Sequence, residues 1–218
     1  MMKRLLGPVM LAMLAPLTIA ATPHPVARTE TIVFAGGCFW GVEAVFEHVK
    51  GVSSAVSGYA GGTTKSPTYE GVSTGTTGHA ESVQVVFDPA QVSLEQLLQV
   101  FFTVAHDPTQ LNRQGPDVGT QYRSAVFYSG AMQQQAVQAY IAALTQKKQY
   151  SRPIVTEVAP LSVFYPAESY HQGYLALHPY QPYIVINDKP KIGHMAKYFP
   201  DYYRDKPVLV KDAKTVLN

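Results

Sequence analysis

A single cysteine, Cys38, stands among the 218 residues of the chain. That excludes an internal disulfide framework and any zinc site built from several thiolates. Charge is also scarce, at 15% Asp, Glu, Lys and Arg against a usual share of about 25%. With 46% hydrophobic residues and a formal charge of +2, the composition excludes a disordered tail and a basic protein that coats nucleic acid. The seven histidines show no i, i+4 pair or comparable spacing for ligands, so no metal site is expected. No internal repeat and no domain linker appear, and the length fits one domain.

The longest apolar run, Leu5 to Ala21, follows Lys3 and Arg4 and ends in the small residues Thr18, Ala20 and Ala21, the pattern of a secretory signal. Pro8 and Pro16 interrupt it, and its 17 residues fall short of the ~20 a spanning helix needs. An uncleaved anchor is the alternative. The expected division is a signal peptide at 1–20, a linker at 21–30 and one domain at 31–218. Removing Lys3 and Arg4 leaves 15 Lys and Arg of the original 17 against 15 Asp and Glu. A formally neutral mature chain argues against nucleic acid and against membrane partners once the signal is cleaved. The expected location is outside the cytoplasm, in a bacterial periplasm.

Thr31 to Ala35 is a short apolar run closed by Gly36-Gly37 and reads as a buried strand. Val42, Val45, Phe46 and Val49 recur at helical spacing, with Gly51 as the stop. Cys38 therefore falls at a strand-to-helix turn. A strand near Val52 to Ser57 precedes a Gly/Thr/Ser-rich stretch, Gly58 to Gly78, expected to be a long loop. Ala80 to Phe87 alternates, with Glu81, Val83, Val85 and Phe87 on one face. Ser93 and Gln96 fit a capping box ahead of a helix carrying Leu97, Leu98, Phe101 and Phe102. Gln121 to Tyr128 and Ile154 to Val158 read as strands, and Ala131 to Lys148 as a helix with Val137, Ile141 and Leu144 inward. The expected fold is a single two-layer α+β domain, a mixed sheet with helices packed on it, and a long Tyr/Pro-rich wrap from Phe164 to Tyr203.

The thiolate is the reactive form of cysteine and a helix N-terminus favours negative charge, so Cys38 is a candidate nucleophile; the alternative is a small buried hydrophobe. Glu81 shares its face with Val83, Val85 and Phe87, which points it at a low-dielectric interior and favours its protonated form, unless water reaches the strand end. Tyr69 and Tyr122, flanked by turn residues, are candidates among 14 tyrosines for hydroxyls that face a cleft. His106 and Asp107 leave a Cys-His-Asp hydrolase open, although His106 reads more simply as a helix-end residue.

These residues lie inside longer motifs. Gly37-Cys38-Phe39-Trp40-Gly41-Val42-Glu43 resembles the signature of the A-type peptide methionine sulfoxide reductases. Gly58-Tyr59-Ala60-Gly61-Gly62, Pro67-Thr68-Tyr69, Thr77-Gly78-His79-Ala80-Glu81, His106-Asp107-Pro108 and Gly119 to Ser124 are similar to that family's successive blocks. So are Pro166-Ala167-Glu168 and Tyr170-His171-Gln172. The likeness spans about Thr31 to about Ile186 and implies that 31–218 is a catalytic domain with an extended tail. It implies reduction of free and protein-bound methionine S-sulfoxide, with Cys38 attacking sulfur and passing through a sulfenic acid. Glu81 would supply the proton, Tyr69 and Tyr122 would hold the sulfoxide oxygen with Asp117 in support, and Phe39 and Trp40 would receive the S-methyl group. Glu43 matches the signature too, in a supporting position. No cofactor is implied. Ile184 to Asn218 lacks the cysteines that many members carry in their tail, so the resemblance is to the one-cysteine branch, and an external thiol, such as a thioredoxin-like protein, must resolve the sulfenic acid. The partners implied are oxidised proteins, peptides and free methionine sulfoxide, met by a monomer.

Two other classes predict different behaviour. A thiol peroxidase or Cys-His acyl hydrolase would turn over peroxide or ester without needing Glu81. A binding module would dock methionine-containing peptides and keep doing so after Cys38→Ser.

Overall fold

A computed structural model describes residues 29–210; the expected signal peptide and nearly all of the expected linker lie outside them. The first strand, β1 (Glu30–Gly36), opens with Glu30, and from Ile32 onward it is buried. It reads as a continuous apolar run because it is central: Ile32 and Phe34 enter the main core, while Val33 and Ala35 enter a smaller cluster on the other face. Helix α1 (Phe39–Glu47) follows at once and packs Val42, Val45 and Phe46 into the main core.

Strand β2 (Val52–Ala60) runs three residues beyond the expected end, through Gly58. Gly58 marks close packing rather than a break. A Cβ there would lie 2.4 Å from the Tyr165 carbonyl oxygen on the neighbouring strand. The rest of the expected loop contains helix α2 (Tyr69–Ser73), whose start is capped where the Thr68 hydroxyl accepts from Gly71 N–H at 3.2 Å. Strand β3 (Ala80–Phe87) alternates as expected, with Val83, Val85 and Phe87 in the main core. Helix α3 (Leu94–Val100) begins with the capping box formed by Ser93 and Gln96, and a wider turn, Phe101–Ala105, extends it.

A two-stranded ribbon, β4 (Arg113–Gln114) and β5 (Asp117–Val118), precedes a tight turn at Thr120–Tyr122. Strand β6 begins only after that turn (Ser124–Tyr128), so Gln121 and Tyr122 are not in the strand expected for them. Helix α4 (Ala131–Gln146) has one fully buried residue, Val137, with Ile141 and Leu144 against the core. Strand β7 (Glu157–Pro160) starts three residues later than expected, because Val155 donates its N–H to Pro108 rather than to the sheet.

The C-terminal segment does more than wrap. Strand β8 (Phe164–Pro166) joins the edge of the sheet beside β2, and α5 (Tyr174–Leu177) and α6 (Lys189–Tyr198) pack beside α1. The strand order is β7-β6-β1-β3-β2-β8, antiparallel except for the parallel β6–β7 pair. This is the expected mixed-sheet α+β architecture. Arg204 ties the segment after α6 to the body of the domain by donating to the carbonyls of Val49 and Val52. Among the described residues no helix is long and apolar enough to cross a membrane.

Candidate active site

The turn between β1 and α1 works only with glycines in it. Gly37 has φ +91°, and a Cβ there would meet Gln114 Cβ at 2.5 Å. Cys38 then takes the N-cap position of α1 with non-helical backbone, beside the first helical N–H groups. Phe39 N–H donates to Glu81 Oε2 at 3.0 Å, so the second residue of β3 caps the start of the helix that Cys38 opens.

Glu81 is 2% exposed. Two effects oppose each other there. The Phe39 N–H favours the carboxylate, while burial favours the acid, and burial is the stronger: the carboxyl group is pushed up to about 8, with Asp117 and Asp188 adding to the rise. Glu81 thus keeps its proton at neutral pH, one of the two outcomes the sequence left open. Cys38 differs from its expectation. Burial pushes its thiol well up, the Glu81 and Asp188 carboxylates push further, and a hydrogen bond from the Trp40 backbone offsets only part. The resting residue is therefore a thiol. A favourable helix end does not make up for the loss of water around it.

Cys38, Phe39, Trp40, Tyr69, Glu81, Asp117 and Tyr122 converge on one pocket of about 240 Å³, together with Gln181 and Tyr183. Tyr69 is the first residue of α2, and its N–H donates to Glu168 Oε1 at 3.0 Å. The other oxygen of Glu168 accepts from Tyr59 at 2.8 Å. Tyr122 arrives from the turn before β6, which is why its ring faces the pocket instead of lying in the sheet. Burial raises both phenols, which stay protonated and can donate. Phe39 is enclosed by Tyr59, Tyr69 and His171 at 5.0–6.4 Å between ring centroids. Trp40 stacks on Tyr174 at 3.8 Å and donates Nε1–H to His171 Nδ1 at 3.1 Å. Burial lowers the His171 pKa, in keeping with a neutral ring that accepts at Nδ1.

Gln181 and Tyr183 were not foreseen. Both lie where helical and strand periodicity fade, and nothing in the sequence marks Tyr183 as a pocket residue. Its hydroxyl donates to the Asp117 carboxylate. His106 takes another role from the one a hydrolase needs. Its Nδ1 bonds the Phe101 carbonyl at 3.0 Å, its Nε2 bonds Ser124 Oγ at 2.7 Å, and burial holds it down at about 4. Asp107 turns to Thr109, Gln110 and Arg152. His79 likewise braces a loop, accepting from Gly62 N–H and bonding the Thr64 carbonyl.

With His106 committed elsewhere, the thiol faces a carboxylic acid and phenols rather than a histidine base, across an aromatic wall. That arrangement defines a thiol-dependent oxidoreductase for a small apolar group that carries a polar oxygen. The chain belongs to the peptide methionine sulfoxide reductase family, which it matches over residues 30–203, and it is an enzyme of that activity. It is 57% identical to peptide methionine sulfoxide reductase MsrA 2 of Mesorhizobium japonicum, over 85% of this chain and 95% of that one. Among solved structures it resembles methionine sulfoxide reductase A of Corynebacterium diphtheriae (43% identity, TM-score 0.62, 71% of this chain and 78% of that one). It also resembles reduced Mxr1 of Saccharomyces cerevisiae (34% identity, TM-score 0.65, 76% and 92%).

Proposed function

We propose that Cys38 is the nucleophile and Glu81 the general acid in reduction of the S epimer of methionine sulfoxide, free or in a polypeptide. The observation that supports this most is that a thiol and a carboxyl group that keeps its proton share one pocket with two phenol donors. The sulfoxide oxygen accepts from Tyr69, Tyr122 and Glu81, and its S-methyl group lies against Phe39 and Trp40, where polarisable sulfur meets ring faces. Glu81 gives its proton to the oxygen as Cys38 Sγ bonds to the substrate sulfur, and the thiol proton replaces the one Glu81 has lost. The hydroxyl then passes to Sγ and the S–S bond breaks. The products are methionine and Cys38 sulfenic acid: substrate sulfur gains two electrons and cysteine sulfur loses two.

The chain holds no second thiol, so an external dithiol completes the cycle. One thiol displaces water from the sulfenic acid to give a mixed disulfide, and the second releases Cys38. A thioredoxin-like protein fits this role, and no cofactor enters the scheme. Export to a periplasm is part of the reading, supported by Lys3, Arg4 and the apolar run behind them; fractionation of the native enzyme with the cytoplasm would overturn that part.

The test is methionine release from separated S and R epimers of a blocked methionine sulfoxide, with excess dithiothreitol and Cys38→Ser as control. Turnover of the S epimer alone, lost in Cys38→Ser, is the expected result. Turnover that survives Cys38→Ser, or equal use of both epimers, would refute it.

A further inference from the structure

Three sulfur atoms lie among the described residues, and they differ in what can reach them. Met195 is fully buried, Cys38 is 9% exposed and Met132 is 81% exposed. Oxidation follows exposure and, for cysteine, thiolate character, and Cys38 rests as a thiol. Met132 is therefore the sulfur that a peroxide from solution meets first. Its surroundings are open. Ser129, Gly130, Ala131 and Met132 are exposed in succession, and a Cβ on Gly130 would meet nothing within 4 Å. Met132 is the second residue of α4, and Gly130 at the N-cap position gives that helix no side-chain cap. Such a first turn frays and presents the side chain on a short loop. The loop is also neutral, because α4 carries no charged residue from Ala131 to Gln146. A sulfoxide at Met132 would thus enter a pocket without a flanking charge to strip of water.

The fold keeps the thiol of the same copy out of reach. Gln133 Nε2 donates to the Thr31 carbonyl at 3.0 Å, which fixes the start of α4 beside the first residues of β1. Cys38 lies past the other end of that strand. The five steps from Thr31 to Gly36 span about 16 Å, at roughly 3.3 Å each. A methionine side chain cannot cross that distance.

We infer that Met132 is a sulfoxide-forming site of this enzyme and its substrate in trans, reduced by Cys38 of a second copy. This rests on the assignment of the pocket to methionine S-sulfoxide. Hydrogen peroxide gives one oxygen to the Met132 sulfur, which loses two electrons, and leaves as water. Cys38 of the second copy takes that oxygen as its sulfenic acid, and a dithiol returns the thiol with release of another water. Each cycle consumes one peroxide and one dithiol and yields two waters and one disulfide. Oxygen transfer to an exposed methionine makes both epimers in about equal amounts, so about half of the Met132 sulfoxide is recovered. The R half accumulates, and its removal falls to a reductase of the opposite epimer.

The test uses Cys38→Ser protein, which has no thiol for repair. It is treated with hydrogen peroxide, freed of it, and incubated with dithiothreitol, a blocked methionine S-sulfoxide and a small amount of untreated wild type. Peptide mass mapping reads the added oxygen. Met132 should gain it and Met195 should not; about half should then be lost at a rate proportional to wild-type concentration. Oxidation of Met195 in step with Met132, or recovery without wild type, would overturn the inference. Oxidised wild type alone needs no substitution: the fraction it repairs per minute should rise with protein concentration, and a fraction independent of dilution would place the reaction within one copy. Turnover of the blocked sulfoxide while Met132 stays oxidised would overturn self-repair alone. If wild type reduces neither, the functional assignment fails and this inference with it.

Discussion

Replacing Glu81 by Gln removes one proton and little else. The amide oxygen can accept the Phe39 N–H that Glu81 Oε2 takes at 3.0 Å, so the start of α1 and the placement of Cys38 survive. A shift from 4.5 to about 8 corresponds to proton affinity on the order of 5 kcal/mol, at 1.36 kcal/mol per unit. In catalysis the loss of a positioned acid should slow single-turnover methionine formation by about 10²-fold or more, with binding largely intact. Wild type should also lose rate by about tenfold per pH unit beyond about 8, as Glu81 gives up its proton. Glu81→Gln should lose that alkaline limb, and its residual rate should rise with pH as thiolate forms. In stability the sign is also set. The folded state holds the proton more tightly than the unfolded chain, so the contribution of Glu81 is complete below about 4.5 and is lost as pH rises to about 8. The stability difference between Glu81→Gln and wild type should therefore move in favour of the variant over that interval. Rapid-quench assays and urea titrations at pH 5 and 8.5 measure both. Equal single-turnover rates, or an alkaline limb near pH 8 that persists in the variant, would remove Glu81 from the mechanism.

Gly41→Ala should be destabilising by roughly 1–3 kcal/mol, because a Cβ at Gly41 would lie 2.0 Å from Oδ1 of fully buried Asp188; calorimetry would show a lower Tm. Glu47→Gln should raise Tm more at pH 8.5 than at pH 5.5. Burial raises the pKa values of both Glu43 and Glu47, one helical turn apart, and charging them inside the protein costs stability as pH rises. Glu168→Ala should raise the KM for sulfoxide about tenfold with a smaller change in kcat, since it frees Tyr69 N–H and Tyr59 hydroxyl together; steady-state kinetics on a blocked sulfoxide would measure it.

The features legible in the sequence were those governed by a short period or a local cap. Alternation along β3 put Glu81 on the face of Val83 and Val85, and the spacing of Ser93 and Gln96 gave the start of α3. What escaped depended on distant partners. Gly58 reads as a break in isolation, yet it is the residue that lets β8 approach β2. Tyr122 follows apolar-strand logic only until Gly119, at φ +143°, and the tight turn after it redirect the chain. The Cys38 thiol was expected to be activated by its helix end, but its burial beside Gln181 and Tyr183 and the nearby charge of Asp188 come from groups more than a hundred residues away. The motif resemblance named seven pocket residues; Gln181 and Tyr183 belong to a segment without periodicity, where a tyrosine in a site looks like a tyrosine on a surface.

The joining of Trp40 to His171 across 131 residues has a consequence during synthesis. At about 5–20 residues per second, the ribosome takes roughly 7–26 s to pass from one to the other. For that interval His171, Tyr174 and Tyr183 do not yet exist, and β8 exists only at its very end, so the thiol emerges next to an indole with no stacking partner. The nascent enzyme thus presents an unshielded sulfur nucleophile well before it can select a substrate, and whatever protects the growing chain from oxidants in that window protects its future catalyst.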